Sequence, residues 1–327
     1  MAGVHKKGVV EGKAALYLKE EAKNGKMRKG LSIFFISMAL SACATSSGSV
    51  KERDAVDPLR SLDAFGEFDA LDPDATVYMT LDTQEARPLL DLLKISDITG
   101  GQTGRLLDKT TRIATAFYPK DSGRRFLAVC RGDYPNALAA LSLTASADWK
   151  KVRAWNNAPY WRSDDGALSL ALNDSWALIS DAEPFARTMQ AVPPQEEFDA
   201  FRQGAMLAGW ITDGGVSLNN LLYLLEIPIE LYIQSAFFAV TKSGAQYELS
   251  VRLEIFSEEQ AKGVATLFSL ARLFIGRNSD SESGTPALAE PLLANPLEQS
   301  GQVVNMRSGS MTGEEVALLF NTFMLCL

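Results

Sequence analysis

Histidine is almost missing from this sequence. The one imidazole in 327 residues is His5, so everything downstream must manage without one. That removes the Ser-His-Asp triad, the His-containing metal site and the ordinary general base near neutral pH. Cysteine is nearly as scarce, with only Cys43, Cys130 and Cys326 and no C-x-x-C pair. There is no Gly-rich phosphate loop, no G-x-S-x-G elbow and no H-E-x-x-H. Ser163-Asp164-Asp165-Gly166 lacks the remaining ligands of a calcium loop and reads as a hairpin turn. No metal or cofactor is expected. Paired-carboxylate catalysis has no pair that can be located, so the chain is not read as an enzyme.

Positive charge is also in deficit. The formal net charge is −8. Residues 1–42 hold eight Lys/Arg and three acids, which leaves 24 basic and 37 acidic residues beyond them, a net of −13. A body this acidic repels nucleic-acid phosphates and anionic headgroups within a Debye length. Nucleic acid is excluded as a partner, and so is docking through a basic patch. An apolar fraction of 46% with 22% charged residues is that of a folded protein.

What is present begins with a leader. Arg28 and Lys29 precede a ten-residue apolar run, 31–40 (LSIFFISMAL), then Ser41, Ala42 and Cys43. At about 1.5 Å per residue the run is too short to cross ~30 Å of hydrocarbon as a helix. A positive start, a short apolar stretch and small residues make a signal peptide. The tetrad Leu40-Ser41-Ala42-Cys43 resembles the lipobox of bacterial lipoproteins, where Leu40, Ser41 and Ala42 are read by the signal peptidase. The resemblance implies that Cys43 is acylated and becomes the new N-terminus, with its acyl chains holding membrane lipid. Met27 stands where such a leader starts, so 1–26 reads as an over-extended start, with a genuine long leader as the alternative. Residues 27–42 are then the signal peptide and 43–58, opening ATSSGS after the cysteine, a flexible tether. Position 44 is not acidic, which favours the outer membrane, facing the periplasm.

The remainder predicts an α+β fold. A helix is expected over 59–70, a strand over 76–81, then a helix to Lys94 with Thr83 as N-cap and Pro88 in its first turn. A hairpin follows around 120–123, a helix over 135–143, strands near 149–155, 159–163, 167–172 and 175–180, and a helix over 183–191. The second half repeats this order: strand 206–212, a helix ending at 224–227, a hairpin around 242–244, a helix over 257–275 and a closing strand and helix over 302–325. The chain therefore reads as a tandem diverged repeat of β-α-β-β-α units, 59–192 and 193–327, with a mobile loop over 277–301. Tyr247, Leu249, Val251, Leu253 and Ile255 alternate with Glu248, Ser250, Arg252 and Glu254. That demands a sheet with one wet face, hence mainly antiparallel pairing with helices packed on one face.

Several helices carry too little charge for a surface position. Val264 to Ile275 has Thr266, Ser269 and Arg272 as its polar residues, 221–225 is LLYLL, and 316–327 is VALLFNTFMLCL. They are covered either by protein, as core helices, or by lipid, as a ligand cavity or as helices entering one leaflet. The candidate lipid contacts are Leu221, Leu222, Leu225, Phe268, Leu270, Phe274, Phe320 and Phe323. The stretch 218–240 is not a membrane span, because Glu226, Pro228 and Glu230 interrupt it. Four of the five tryptophans, Trp149, Trp155, Trp161 and Trp176, fall close together, as cross-strand packing or as a platform for a glycan. Cys130 and Cys326 either pair or sit as packed thiols.

In plan, an α/β core bearing amphipathic helices over 59–327 looks like the spirochaetal outer-membrane lipoproteins. That resemblance implies attachment in the periplasmic leaflet and a lipid-binding or lipid-perturbing role, and it carries over no residue except Cys43. The expected function is an acylated envelope lipoprotein whose apolar helices contact membrane lipid or bind a hydrophobic ligand. The alternative is a periplasmic scaffold or assembly factor holding a protein or glycan partner. Made in a bacterium with a lipoprotein pathway, the chain is expected to lose everything before Cys43 and to gain acyl mass on it. Intact-mass measurement checks this: Cys43→Ser should keep the leader and gain nothing, and an uncleaved wild-type chain without acyl mass contradicts the reading.

Overall fold

The computed structural model describes residues 59–63, 67–93, 108–119, 123–185, 195–213, 219, 232–278 and 288–324. Among these, twelve strands form one antiparallel sheet: β1 (Val77–Asp82), β2 (Thr110–Phe117), β3 (Phe126–Gly132), β4 (Trp149–Arg153), β5 (Pro159–Ser163), β6 (Ser169–Leu172), β7 (Trp176–Ser180), β8 (Leu207–Ile211), β9 (Ile233–Ser243), β10 (Gln246–Ile255), β11 (Glu298–Ser300) and β12 (Val303–Arg307). Six helices accompany them: α1 (Arg87–Leu92), α2 (Asn136–Ala145), α3 (Gln195–Phe201), α4 (Glu258–Asn278), α5 (Ala289–Leu292) and α6 (Gly313–Met324). The α+β class and the antiparallel pairing are as the sequence predicts.

The sheet order is β11-β12-β10-β9-β8-β1-β2-β3-β7-β6-β5-β4. At its centre β1 pairs with β2 on one side and β8 on the other, so that Val77 faces both Phe117 and Ile211. Each flank then runs outward through a hairpin, β2–β3 or β9–β10, and the chain leaves through a helix before returning as β7 beside β3 or β12 beside β10. The outer strands are short or charged. β11 has three residues, and β4 exposes Lys150, Lys151 and Arg153, which discourages pairing with another chain.

Both faces of the sheet are covered, by different means. On one face, Val77, Met79, Ile113, Ala128, Leu207, Val240, Leu249 and Leu253 meet residues from α1, α2, α4, α5 and α6. On the other, Tyr78, Ala114, Val129, Trp176, Ala208 and Phe237 meet Phe198 of α3 and two 3-10 turns, Arg60–Asp63 and Glu67–Ala70. The long helices thus lie on one side, as predicted, but the second side is not simply wet. β1 shows why: Val77, Tyr78 and Met79 are all buried, pointing alternately into the two clusters. The alternation in β10 does hold, with Tyr247, Leu249, Leu253 and Ile255 buried beneath the helices and Glu248 exposed on the reverse.

Some local expectations are corrected. Where a helix is expected over 59–70, Arg60–Asp63 and Glu67–Ala70 are 3-10 turns, and Leu59, Leu62, Phe68 and Ala70 pack in the cluster of Tyr78 and Trp176. Thr83 is not an N-cap. Its hydroxyl donates to the Thr110 carbonyl and its N–H to the Thr111 carbonyl at 3.1 Å. The carboxylate of Asp82 accepts from the N–H groups of Gln84 and Glu85 at 3.0 and 3.1 Å, so helix α1 starts only at Arg87, with Pro88 in its first turn. The loop expected over 277–301 contains the end of α4, α5 and β11. The helices expected after Thr212 and over 183–191 fall wholly or largely outside the described residues.

The turn that launches β1 is held by a buried polar network. The Tyr78 hydroxyl donates to the Asp72 carbonyl at 2.9 Å and accepts from the Ala75 N–H at 3.2 Å; the Tyr118 hydroxyl accepts from the Asp72 N–H at 3.0 Å. Burial pushes the Tyr118 phenol up to about 12, so both hydroxyls stay protonated donors at neutral pH. Arg124 joins the Asp72 carboxylate to the backbone carbonyls of Glu183 and Phe185. This clamp fastens the start of the first strand to the end of β7.

Gly209 of β8 shows how α6 is tied down. A Cβ there would meet the Phe238 ring at 2.2 Å. The bare glycine lets that ring lie across β8 and meet Phe323 of α6 edge-on, with centroids 5.4 Å apart. Gly209→Ala is therefore expected to cost about 1–3 kcal/mol by displacing the ring. Urea unfolding should show a lower midpoint, and an unchanged one would contradict this packing.

Candidate functional site

The candidate site is the outer side of the helical layer. Helix α2 has the sequence NALAALSLTA, without one charged residue. Ala139 and Leu143, one turn apart, turn into the core, while Leu138 and Leu141 face out. In α4, Ala261, Val264 and Phe268 form the inward stripe and Leu267, Leu270 and Leu273 the outward one. Its acids, Glu258 and Glu259, sit in the first turn, and the Lys262 ammonium lies 2.7 Å from Glu258. In α6, Val316, Ala317 and Phe323 are buried and Leu318 is exposed; in α1, Leu89 and Leu90 are buried and Leu92 exposed. The outward leucines range from 43% exposed at Leu92 to 59% at Leu273. Ordinary surface helices place charge at such positions. Here leucines occupy exposed positions on all four helices, alongside Asp91, Lys262, Arg272 and Glu314.

The opposite face has another chemistry. Glu67 is buried with Arg112 at 3.4 Å, and the Trp176 indole donates to Asp63 at 2.8 Å. Arg131 lies over the Trp176 ring at 5.6 Å and Arg202 over the Phe68 ring at 5.5 Å. Arg252 lies over the Phe237 ring at 5.8 Å and 3.3 Å from Glu254. Here aromatic surface is capped by guanidinium groups, which keep it compatible with water. The molecule is therefore two-sided.

The expected lipid contacts divide. Phe268 and Phe323 are buried in the core beneath the helices and so meet protein; Phe320 is partly buried against the same core. Leu270 is exposed on the outward stripe. Phe274 lies in α4, but its side chain is outside the described residues, as are Leu221, Leu222, Leu225 and the leader residues Leu40, Ser41, Ala42 and Cys43. Sequence reasoning passed over Leu138, Leu141, Leu267, Leu273 and Leu318. The absence of charge across 136–145 was the available signal.

Trp149, Trp161 and Trp176 are buried, which leaves Trp155 as the exposed member of the four, so they pack with the sheet and present no joint stacking platform. Cys130 is a buried free thiol whose pKa burial pushes up to about 12, and Cys326 is outside the described residues. Among the described residues, no group of three His, Cys, Asp or Glu side chains is placed to hold a metal, and no helix is long and apolar enough to cross a membrane.

The same architecture is found in solved structures. Crystal form III of TP0453 superposes with a TM-score of 0.54 at 16% identity, covering 78% of this chain and 98% of that one. Crystal form I gives 0.53 at 16% identity over 79% and 97%, and crystal form IV gives 0.51 at 14% over 78% and 96%. At such identities the likeness is one of fold. No curated protein matches the chain. Residues 61–183, which run from the first 3-10 turn past β7, match the family described as outer membrane-associated lipoprotein TP0453, a description of a membrane-associated lipoprotein rather than of an enzyme. The chain is thus similar, over residues 61–183, to a family of outer membrane-associated lipoproteins, in agreement with the spirochaetal resemblance and with a lipid-anchored place in the cell envelope.

Proposed function

We propose that the protein is an acylated envelope lipoprotein that lays the outer side of its helical layer against membrane lipid. The observation that carries this reading is the set of outward leucines on α1, α2, α4 and α6, all in one layer. Burying a leucine completely contributes about 1.5–3 kcal/mol, so each half-exposed side chain contributes roughly 1 kcal/mol on entering lipid. The seven together supply an attraction of the same order as one myristoyl chain, whose membrane binding is reversible at about 10⁴ M⁻¹. Neither source alone holds a protein firmly. A lipid-modified Cys43 supplies the permanent attachment, and the leucines set how the domain lies once attached.

In this reading 1–26 precede the true start, 27–42 are removed, Cys43 bears the acyl chains and 43–58 form the tether. The segments 59–192 and 193–327 are two diverged copies of one unit. The strand order supports that relation, because β1-β2-β3-β7 and β8-β9-β10-β12 run outward from the centre in matching sequence. The match of only the first copy to the family is consistent with the second having diverged further.

Among the described residues, the strand pairs and the two core clusters lie between Leu59 and Phe323, so a polypeptide beginning at Ser49 keeps the twelve-stranded sheet. Without acylation it is expected to float with neutral liposomes. Leu138→Ser, Leu141→Ser and Leu270→Ser together should weaken binding at least about tenfold while leaving the circular dichroism unchanged, since these side chains are already half exposed. A parent polypeptide that ignores liposomes contradicts the proposal.

A further inference from the structure

We infer that the leucine-bearing face selects membranes with electroneutral headgroups and is repelled by anionic ones. This inference rests on the lipid-contact reading and goes on to specify the lipid. Helices that seek anionic bilayers carry rows of Lys and Arg beside their apolar stripe. This layer has none. Helix α2 has no charge at all, and α6 has no base but two acids, Glu314 and Glu315, in its first turn. Across the layer the acids outnumber the bases.

Two of the four bases in the layer are committed to acids. Lys262 lies 2.7 Å from Glu258, and Arg87 lies 3.4 Å from Asp91 and 2.5 Å from Asp108. Arg272 is exposed on α4 beside the leucines, and the side chain of Arg277, near the end of the same helix, is outside the described residues. Behind the layer stands a body whose net charge beyond residue 42 is −13. The face can therefore gain apolar burial on any bilayer, but on an anionic one it must approach a surface potential of about −30 mV with charge of the same sign. Guanidinium groups that could offset this lie on the reverse of the sheet, over Trp176, Phe68 and Phe237.

The test uses the polypeptide beginning at Ser49 with two kinds of vesicle, phosphatidylcholine alone and phosphatidylcholine mixed with phosphatidylglycerol. Binding to the anionic vesicles should be at least about threefold weaker, and the gap should close as salt shortens the Debye length. The exposed pair Glu259→Lys and Glu314→Lys should narrow or reverse the gap without altering the fold or the binding to neutral vesicles. Stronger binding to anionic vesicles, or a gap that neither salt nor the charge swap moves, overturns the inference and leaves the lipid-contact reading standing. Binding to neither kind of vesicle overturns both.

Discussion

A helix resting on a sheet can turn only part of its circumference inward, and whatever remains apolar on the other side must be covered by something else. That constraint governs this molecule. Its sheet is buried on both faces, so each face needs a cover. The cover on one side ends in carboxylates and guanidinium groups, several lying on aromatic rings, and meets water without difficulty. The helical cover on the other side ends in leucine. The surface of the protein is therefore divided by the plane of its own sheet, and the division is a product of the packing rather than of any single residue.

Much of the fold could be read in the sequence, because strands and tight turns leave short-range signals. The four strands of 149–180 lie close to where alternation and turn residues place them, and the hairpin β9–β10 follows from its period-two pattern. The start of α1 could not be read so well. Thr83 looks like a helix cap, but its hydroxyl is taken by Thr110, 27 positions away in sequence and the residue at which β2 begins. No local pattern contains that partner. The run 59–70 failed for a similar reason, since its apolar residues suit any backbone that faces Trp176 and Tyr78.

The candidate site was legible only as a property of whole helices. Low charge in α4 and α6 announces that they are covered, but not which side meets protein. Phe268 and Leu270 are two residues apart and equally apolar, yet they point to nearly opposite sides of α4, one 5% exposed and the other 46%. Only the position of the sheet distinguishes them. Of the expected contacts, Phe268 and Phe323 fill the core, whereas Leu270 remains outside.

The likeness to the TP0453 structures extends over most of both chains, although the identities are low. What persists at such distance is the overall fold. Among the described residues this fold presents leucines outward without a helix long and apolar enough to cross a membrane, and the family match over 61–183 agrees with a lipid-anchored place in the envelope.

The central claim is that one face of the sheet, and not the other, meets lipid. Nitroxide labels at Leu141 and Leu270 on the helical side, and at Glu197 on the reverse, report this directly through their accessibility to oxygen and to a water-soluble relaxation agent. On addition of neutral vesicles, the first two labels should become oxygen-accessible and shielded from the aqueous agent, while the label at Glu197 stays in water. Labels at Leu141 and Leu270 that remain aqueous on bound protein, or a label at Glu197 that enters lipid instead, would contradict the account.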